Sequence, residues 1–179
     1  FLFVRMGLLR IGVATVSVLF ATSIFLAGGI LGTFHHLYFA GTTMPVLAIG
    51  ASFSALEVVP LVLIGFEGWH NYKLSQAKEW VRNYKWPIWC MLAVAFWNML
   101  GAGIFGFLIN PPIALYYMQG LNTTPLHGHT ALFGVYGMLG IGLMLFVAKG
   151  LAAPGRWKQK LIGFSFWSIN LGLLLMALL

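Results

Sequence analysis

Residues 86–108 read WPIWCMLAVAFWNMLGAGIFGFL and contain no charged side chain. A run of about 20 apolar residues is long enough for an α-helix to cross the hydrocarbon core of a bilayer. Inside lipid every backbone amide needs a partner within the protein, so a spanning stretch of this composition must be helical. The segment therefore predicts a transmembrane helix.

Four more stretches of similar length and composition lie on either side of this one. The linkers between them are short, so neighbouring helices are expected to run antiparallel. The sequence thus predicts an all-α, polytopic transmembrane bundle of about five spanning helices, with residues 1–179 forming one transmembrane domain. The four further predicted spans are 8–31, 45–66, 124–148 and 161–179.

The composition excludes an ordinary soluble domain. Of the 179 residues, 60% are hydrophobic and only 7% are charged, whereas a soluble domain carries roughly 25% charged residues. The net charge of +7 would suggest a nucleic-acid partner in a soluble protein. Here the basic residues lie in short loops, so we expect no nucleic acid and take membrane lipid as the solvent.

The basic residues alternate between the loops. Arg5 precedes the first predicted span and Arg10 lies at its start. The loops 67–85 and 149–160 hold the other eight basic residues, whereas the two remaining loops hold no Lys or Arg. Short loops rich in Lys and Arg stay on the cytoplasmic side. The pattern therefore predicts a cytoplasmic N-terminus and two outward-facing uncharged loops, 32–44 and 109–123.

This topology brings four of the five histidines to the outer side of the membrane. His127 and His129 lie near the outer end of the fourth predicted span. Residues two positions apart on a helix point about 200° apart around its axis, so these two imidazoles cannot easily bind one metal. They can instead bind two separate cofactors, and haem iron commonly takes an axial imidazole. The alternative is a pair of polar side chains that form hydrogen bonds at a helix end.

His35 and His36 lie where the first predicted span meets an outer loop. Adjacent helical residues point about 100° apart, so both can bind one metal ion only if the backbone relaxes locally. Imidazole suits iron, copper and zinc alike. The alternative is a solvated pair in a loop. His70 lies in a basic loop beside Trp69, and we interpret it as an interfacial residue.

Glu57 is the acidic residue predicted to lie within the membrane. It follows Pro45 by 12 residues, or about 18 Å along a helix, which is near the middle of a core about 30 Å thick. A carboxylate there is costly unless it is protonated, paired or close to a metal. The position indicates proton delivery or metal contact. The alternative is a neutral, hydrogen-bonded glutamic acid between helices.

Taken in order, these motifs resemble the haem-copper oxidase superfamily, and more narrowly the catalytic subunits of bacterial nitric oxide reductases. The resemblance is carried by GTFHHLYF at 32–39, by Leu56-Glu57 and by HGHTALFG at 127–134. The stretch NPPIALYY at 110–117 is most similar to the quinol-dependent, single-chain type. The resemblance covers essentially the whole chain.

The resemblance implies a role for each candidate residue. His35 and His36 match ligands of a non-haem iron. His127 matches the axial ligand of the high-spin haem b that faces that iron, and His129 matches an axial ligand of the low-spin haem b. Glu57 matches the glutamate beside the binuclear centre, which distinguishes these reductases from their oxygen-reducing relatives.

The implied reaction reduces two nitric oxide molecules to nitrous oxide and water, with electrons from quinol. The resemblance also implies a bacterial inner membrane, a haem and iron site toward the periplasm and a possible homodimer. Its pattern requires further ligands, which this sequence does not supply: a second ligand of the low-spin haem, a third histidine on the iron and another glutamate. Together with the start at Phe1, this predicts remaining upstream helices of the same polypeptide as partners.

Three other functions remain open at this point. An oxygen-reducing haem-copper terminal oxidase would contain copper where the reductase contains iron. A b-type membrane electron-transfer cytochrome would have no use for His35 and His36 and would show no high-spin haem. A transporter with a relay of histidine and glutamate would bind no haem.

Overall fold

The computed structural model describes most of the chain from residue 40 onward and scattered positions before it. His127 and His129 are among the described residues, whereas His35, His36 and Glu57 lie outside them. The described residues are 4, 10–12, 15, 16, 19, 23, 31, 34, 37, 40–56, 58, 59, 62, 66, 69, 70, 79–118, 120–153 and 155–178.

The regular elements of this described part are all helices, which confirms the predicted all-α membrane bundle. Three of the helices are long and apolar enough to cross a membrane, namely α3, α5 and α6. In chain order the helices are α1 (Met44–Leu56), α2 (Glu79–Asn83), α3 (Lys85–Ile109), α4 (Pro112–Met118), α5 (Thr123–Leu151) and α6 (Gln159–Leu178).

The three long helices coincide with the third, fourth and fifth predicted spans. Helix α1 is a shorter apolar helix that overlaps the first part of the second predicted span. Most of the first predicted span, 8–31, lies outside the described residues. The division of the chain into five spans therefore stays a prediction.

Glycines bring α3 and α5 into close antiparallel contact. A Cβ atom on Gly134 would lie 2.7 Å from Cγ of Trp97, and one on Gly101 would lie 2.7 Å from Cβ of Thr130. Both distances are far below an ordinary carbon–carbon contact of about 3.5–4.0 Å. Small residues at these positions thus allow the helix backbones to approach, as is common between membrane helices.

Helix α6 packs along another side of α3 and runs parallel to it. The indole Nε1–H of Trp97 donates to Oδ1 of Asn170 at 2.8 Å, and Nδ2 of Asn170 donates to the Phe166 carbonyl at 2.8 Å. Nearer the start of both helices, the Trp86 ring lies directly against Gly163, where no side chain could fit. Helix α3 is consequently the centre of the described bundle.

Two stretches of the bundle are π-helical, namely Asn98–Phe105 in α3 and Leu132–Gly137 in α5. The two stretches contact each other. π-Helical turns are rare, and they often occur at functional sites because the extra residue changes where side chains and carbonyls point. In this bundle they flank the part of α5 that carries His127 and His129.

Candidate functional site

His127 is held by a backbone carbonyl of the neighbouring helix. Its Nδ1 lies 2.8 Å from the carbonyl oxygen of Gly101, in the π-helical part of α3. A carbonyl oxygen can only accept a hydrogen bond, so Nδ1–H must be the donor. In the neutral imidazole the proton is therefore on Nδ1, and Nε2 carries the lone pair that a metal requires.

The close approach of this imidazole depends on glycines in α3. A Cβ on Gly106 would lie 3.1 Å from Cε1 of His127, which is tighter than an ordinary contact. One turn further along α5, Thr130 is fully buried against Gly101, and its hydroxyl donates to the Leu126 carbonyl at 2.7 Å. The His127 ring thus has a defined orientation against the part of α3 where glycines leave no side chain in its way.

His129 has a different environment. Its side chain is exposed, and its Nδ1 donates to the Pro125 carbonyl, 2.7 Å away on the same helix. Here too the neutral imidazole has its proton on Nδ1 and its lone pair on Nε2. Leu132, Phe133 and Tyr136 follow at helical spacing and are exposed as well. His129 therefore lies on an apolar and aromatic face that a large flat ligand or further helices can cover.

The two histidines consequently lie in different environments. His127 contacts α3, whereas the hydrogen bond of His129 stays within α5. The described residues contain no group of three or more His, Cys, Asp or Glu that could hold a metal ion. Because His35, His36 and Glu57 lie outside the described residues, the predicted iron site and its glutamate stay predictions.

A buried polar pair joins α1 to the end of α3. Nδ2 of Asn110 donates to Oγ of Ser54 at 2.6 Å, and both residues are only 6% exposed. Hydrogen bonds of this kind fix the contact between two membrane helices, since neither group finds water there. Neither residue of this pair belongs to a sequence motif that predicts a role for it. Polar residues in apolar surroundings, at 54 and 110, were the features that could have revealed it.

The carbonyl of Gly101 was also missed, because a backbone acceptor has no sequence signature. The sequence indicates this contact only through three closely spaced glycines at 101, 103 and 106. Their spacing predicts that another helix packs closely against α3, but it does not identify the side chain that contacts it.

The comparison with known families agrees with this arrangement of helices. The family model described as cytochrome c and quinol oxidase polypeptide I matches residues 3–179. The chain belongs to this family of membrane oxidoreductases, which forms part of the haem-copper oxidase superfamily. It is therefore a multi-pass membrane protein.

Within the superfamily, the chain is similar to a nitric oxide reductase subunit of Stutzerimonas stutzeri. The two sequences are 28% identical over 157 residues, which are 84% of this chain and 32% of the relative. The chain thus spans about a third of the length of that protein. The likeness supports a reductase-like member of the superfamily.

The two described histidines fit the cofactors of this superfamily, whose members bind haem and metal. In metal sites a ligating histidine donates its second ring N–H to a carbonyl or carboxylate, which fixes the tautomer and the ring orientation. His127 and His129 both form this bond to a carbonyl. In both residues Nε2 makes none of these bonds, so it is the atom that could hold a metal.

Proposed function

We propose that this chain forms part of the catalytic core of a nitric oxide reductase. The reaction takes two NO, two electrons and two protons to nitrous oxide and water. The observation that carries the proposal is the Nδ1–H bond that each of His127 and His129 forms to a carbonyl, which leaves both Nε2 atoms as ligands. The similarity to a nitric oxide reductase subunit supports the choice of substrate.

In this proposal His127 binds the high-spin haem b, His129 binds the low-spin haem b, and His35 and His36 bind the non-haem iron. When bound, these groups supply electrons and hold two NO molecules close together, which replaces a chance encounter by a positioned one. Quinol is the proposed electron donor. The bacterial inner membrane is the proposed location, with the site toward the periplasm.

Backbone carbonyls of this chain orient the two histidines, and a side chain is proposed to move protons. The Gly101 carbonyl keeps the proton on Nδ1 of His127. The hydrogen bond at Nδ1 makes Nε2 a more basic ligand for a metal. Pro125 performs the same task for His129. Glu57 is proposed to deliver protons, because a carboxyl group can take up a proton and pass it to an acceptor within hydrogen-bond reach.

A second candidate is an oxygen-reducing terminal oxidase, since the family model that matches the chain is named for oxidases. The two candidates differ in the second metal. Thiolate and thioether ligands select Cu(I), whereas a carboxylate beside the imidazoles suits iron better. Glu57 therefore favours the reductase.

The test is an optical spectrum, a metal analysis and a nitrous oxide assay on the complete polypeptide purified from membranes. We expect two haems b, one non-haem iron and NO-dependent formation of nitrous oxide with a quinol donor. Copper together with oxygen consumption would establish the oxidase instead. Low-spin haem alone would establish an electron-transfer cytochrome.

Glu57→Ala tests the proton role separately. We expect this variant to keep both haems and to lose most of its turnover. Glu79→Ala is the control, because Glu79 is an exposed acidic residue at the start of α2. Turnover like that of the wild type in Glu57→Ala would refute the role of the carboxyl group.

A further inference from the structure

An apolar groove lies between α3, α6 and Trp69, and neither His127 nor His129 lines it. Its volume is about 370 Å³, which is within the range of pockets that hold small ligands. Asn170 reaches the groove, but its Oδ1 accepts from Trp97 and its Nδ2 donates to Phe166. The walls are almost wholly aromatic and aliphatic, and they include Trp89, Phe96, Trp167, Leu171 and Leu174.

The groove-facing sides of α3 and α6 each carry a lysine near the start of the helix, at the same end of the groove. On α6, Lys160 precedes Trp167 by seven residues, so the two side chains lie within about 20° of each other around the helix. On α3, Lys85 precedes Trp89 by four residues and Leu92 by seven, which are the helical spacings of a shared face. Both lysines are exposed.

Contacts at this end bring the two lysines toward each other. Nζ of Lys85 lies 5.1 Å from the centre of the Trp86 ring. The same ring lies against Gly163, which follows Lys160 by three residues on α6. The Lys85 ammonium group is thus one aromatic ring away from the helix face that carries Lys160.

The surrounding charges favour an anionic partner at this end. Because α3 and α6 are parallel and α5 is antiparallel to α3, the start of α3, the end of α5 and the start of α6 lie together. Among the described residues there, six basic side chains accompany one acidic side chain, Glu79. The basic residues are Arg82, Lys85, Lys149, Arg156, Lys158 and Lys160.

We propose that this groove binds an anionic glycerophospholipid. The phosphate lies between Lys85 and Lys160, and an acyl chain lies along Trp89, Trp167 and Leu174. Lysine binds phosphate as a point charge, and basic residues at a membrane surface attract anionic lipids. The almost wholly apolar walls of the groove fit an acyl chain better than the polar head group of a quinol.

The dimensions agree with a lipid in one leaflet. Trp167 and Leu174 are seven residues apart on α6, or about 10 Å along the axis. One leaflet is half of a hydrocarbon core of about 30 Å. Lys160 lies about another 10 Å toward the basic end, where a long side chain can reach the head-group region.

The experiment measures lipid retention by native mass spectrometry of the complete polypeptide in mild detergent. Equal amounts of phosphatidylglycerol and phosphatidylcholine are added. We expect the wild type to retain phosphatidylglycerol preferentially, and the double variant K85Q/K160Q to retain it roughly 30-fold less. Lys149→Gln is the control, because this lysine lies at the same end but 5.2 Å over the Trp157 ring, away from the groove.

A second variant tests the groove itself. Leu171→Trp places a larger side chain on the wall, and it should lower the retention of both lipids. Leu178→Trp should change neither, since Leu178 is exposed beyond the groove. Equal retention of the two lipids by the wild type, or phosphatidylglycerol retention unchanged in K85Q/K160Q, overturns the proposal. Unchanged lipid retention with dissociation of an oligomer in Leu171→Trp also overturns it, in favour of a second copy.

Discussion

Gly101→Ala tests the contact that orients His127. The added methyl group would lie 2.7 Å from Cβ and Oγ1 of Thr130 and 2.8 Å from its carbonyl carbon. Ordinary carbon contacts are about 3.5–4.0 Å, so α3 and α5 must separate by about 1 Å. That shift would lengthen the 2.8 Å distance between His127 Nδ1 and Gly101 O to about 3.8 Å, beyond a hydrogen bond.

The magnitude follows from three terms. Overpacking costs about 1–3 kcal/mol, and the lost hydrogen bond about 1 kcal/mol. The higher helix propensity of alanine stabilises the folded state by about 1 kcal/mol, which offsets part of this loss. We therefore expect Gly101→Ala to lower the free energy of unfolding by about 1–3 kcal/mol. The haem content of the purified protein should fall as well, because the His127 ring loses its fixed orientation.

The assay compares the melting temperature and the haem content of purified Gly101→Ala and Gly140→Ala. Gly140 lies on α5, and a methyl group added there would have nothing within 4 Å, so the control substitution should be neutral or slightly stabilising. If both variants match the wild type in melting temperature and haem content, the reasoning about this contact is refuted.

Two further contacts between helices give separate predictions. Asn170→Leu removes the acceptor of Trp97 Nε1 and should lower the free energy of unfolding by about 1–2 kcal/mol. A double-mutant cycle with Trp97→Phe checks this hydrogen bond. Fully additive losses in the free energy of unfolding would contradict it. Ser54→Ala should cost about 1 kcal/mol by removing the buried acceptor of Asn110. Ser52→Ala is the matched control, since its hydroxyl bonds within α1 and is exposed, and an equal effect of the two serine variants would contradict the prediction.

The helices that the structure describes at full length could be predicted from local sequence. The predicted span 86–108 differs from Lys85–Ile109 by one residue at each end, because a charged residue precedes it and polar and proline residues follow. Lipid leaves an apolar segment of this length only the helical conformation. Composition therefore determined the element before any tertiary contact was known.

The partners of the candidate ligands could not be predicted in the same way. The angle between His127 and His129 follows from helical periodicity alone. The Gly101 carbonyl is 26 residues from His127, and the contact depends on the register of two helices and on a π-helical stretch that no residue pattern specifies. The Ser54 and Asn110 pair likewise depends on packing between segments 56 residues apart. Local patterns identify the residue types, whereas packing between distant segments determines their partners.

We propose that His127 and His129 each hold a different haem. Low-temperature electron paramagnetic resonance spectra of the complete polypeptide with His127→Ala or with His129→Ala test this assignment directly. We predict that His127→Ala loses the high-spin haem signal and keeps low-spin haem, and that His129→Ala loses the low-spin signal. Both signals surviving in either variant would contradict the assignment of that histidine.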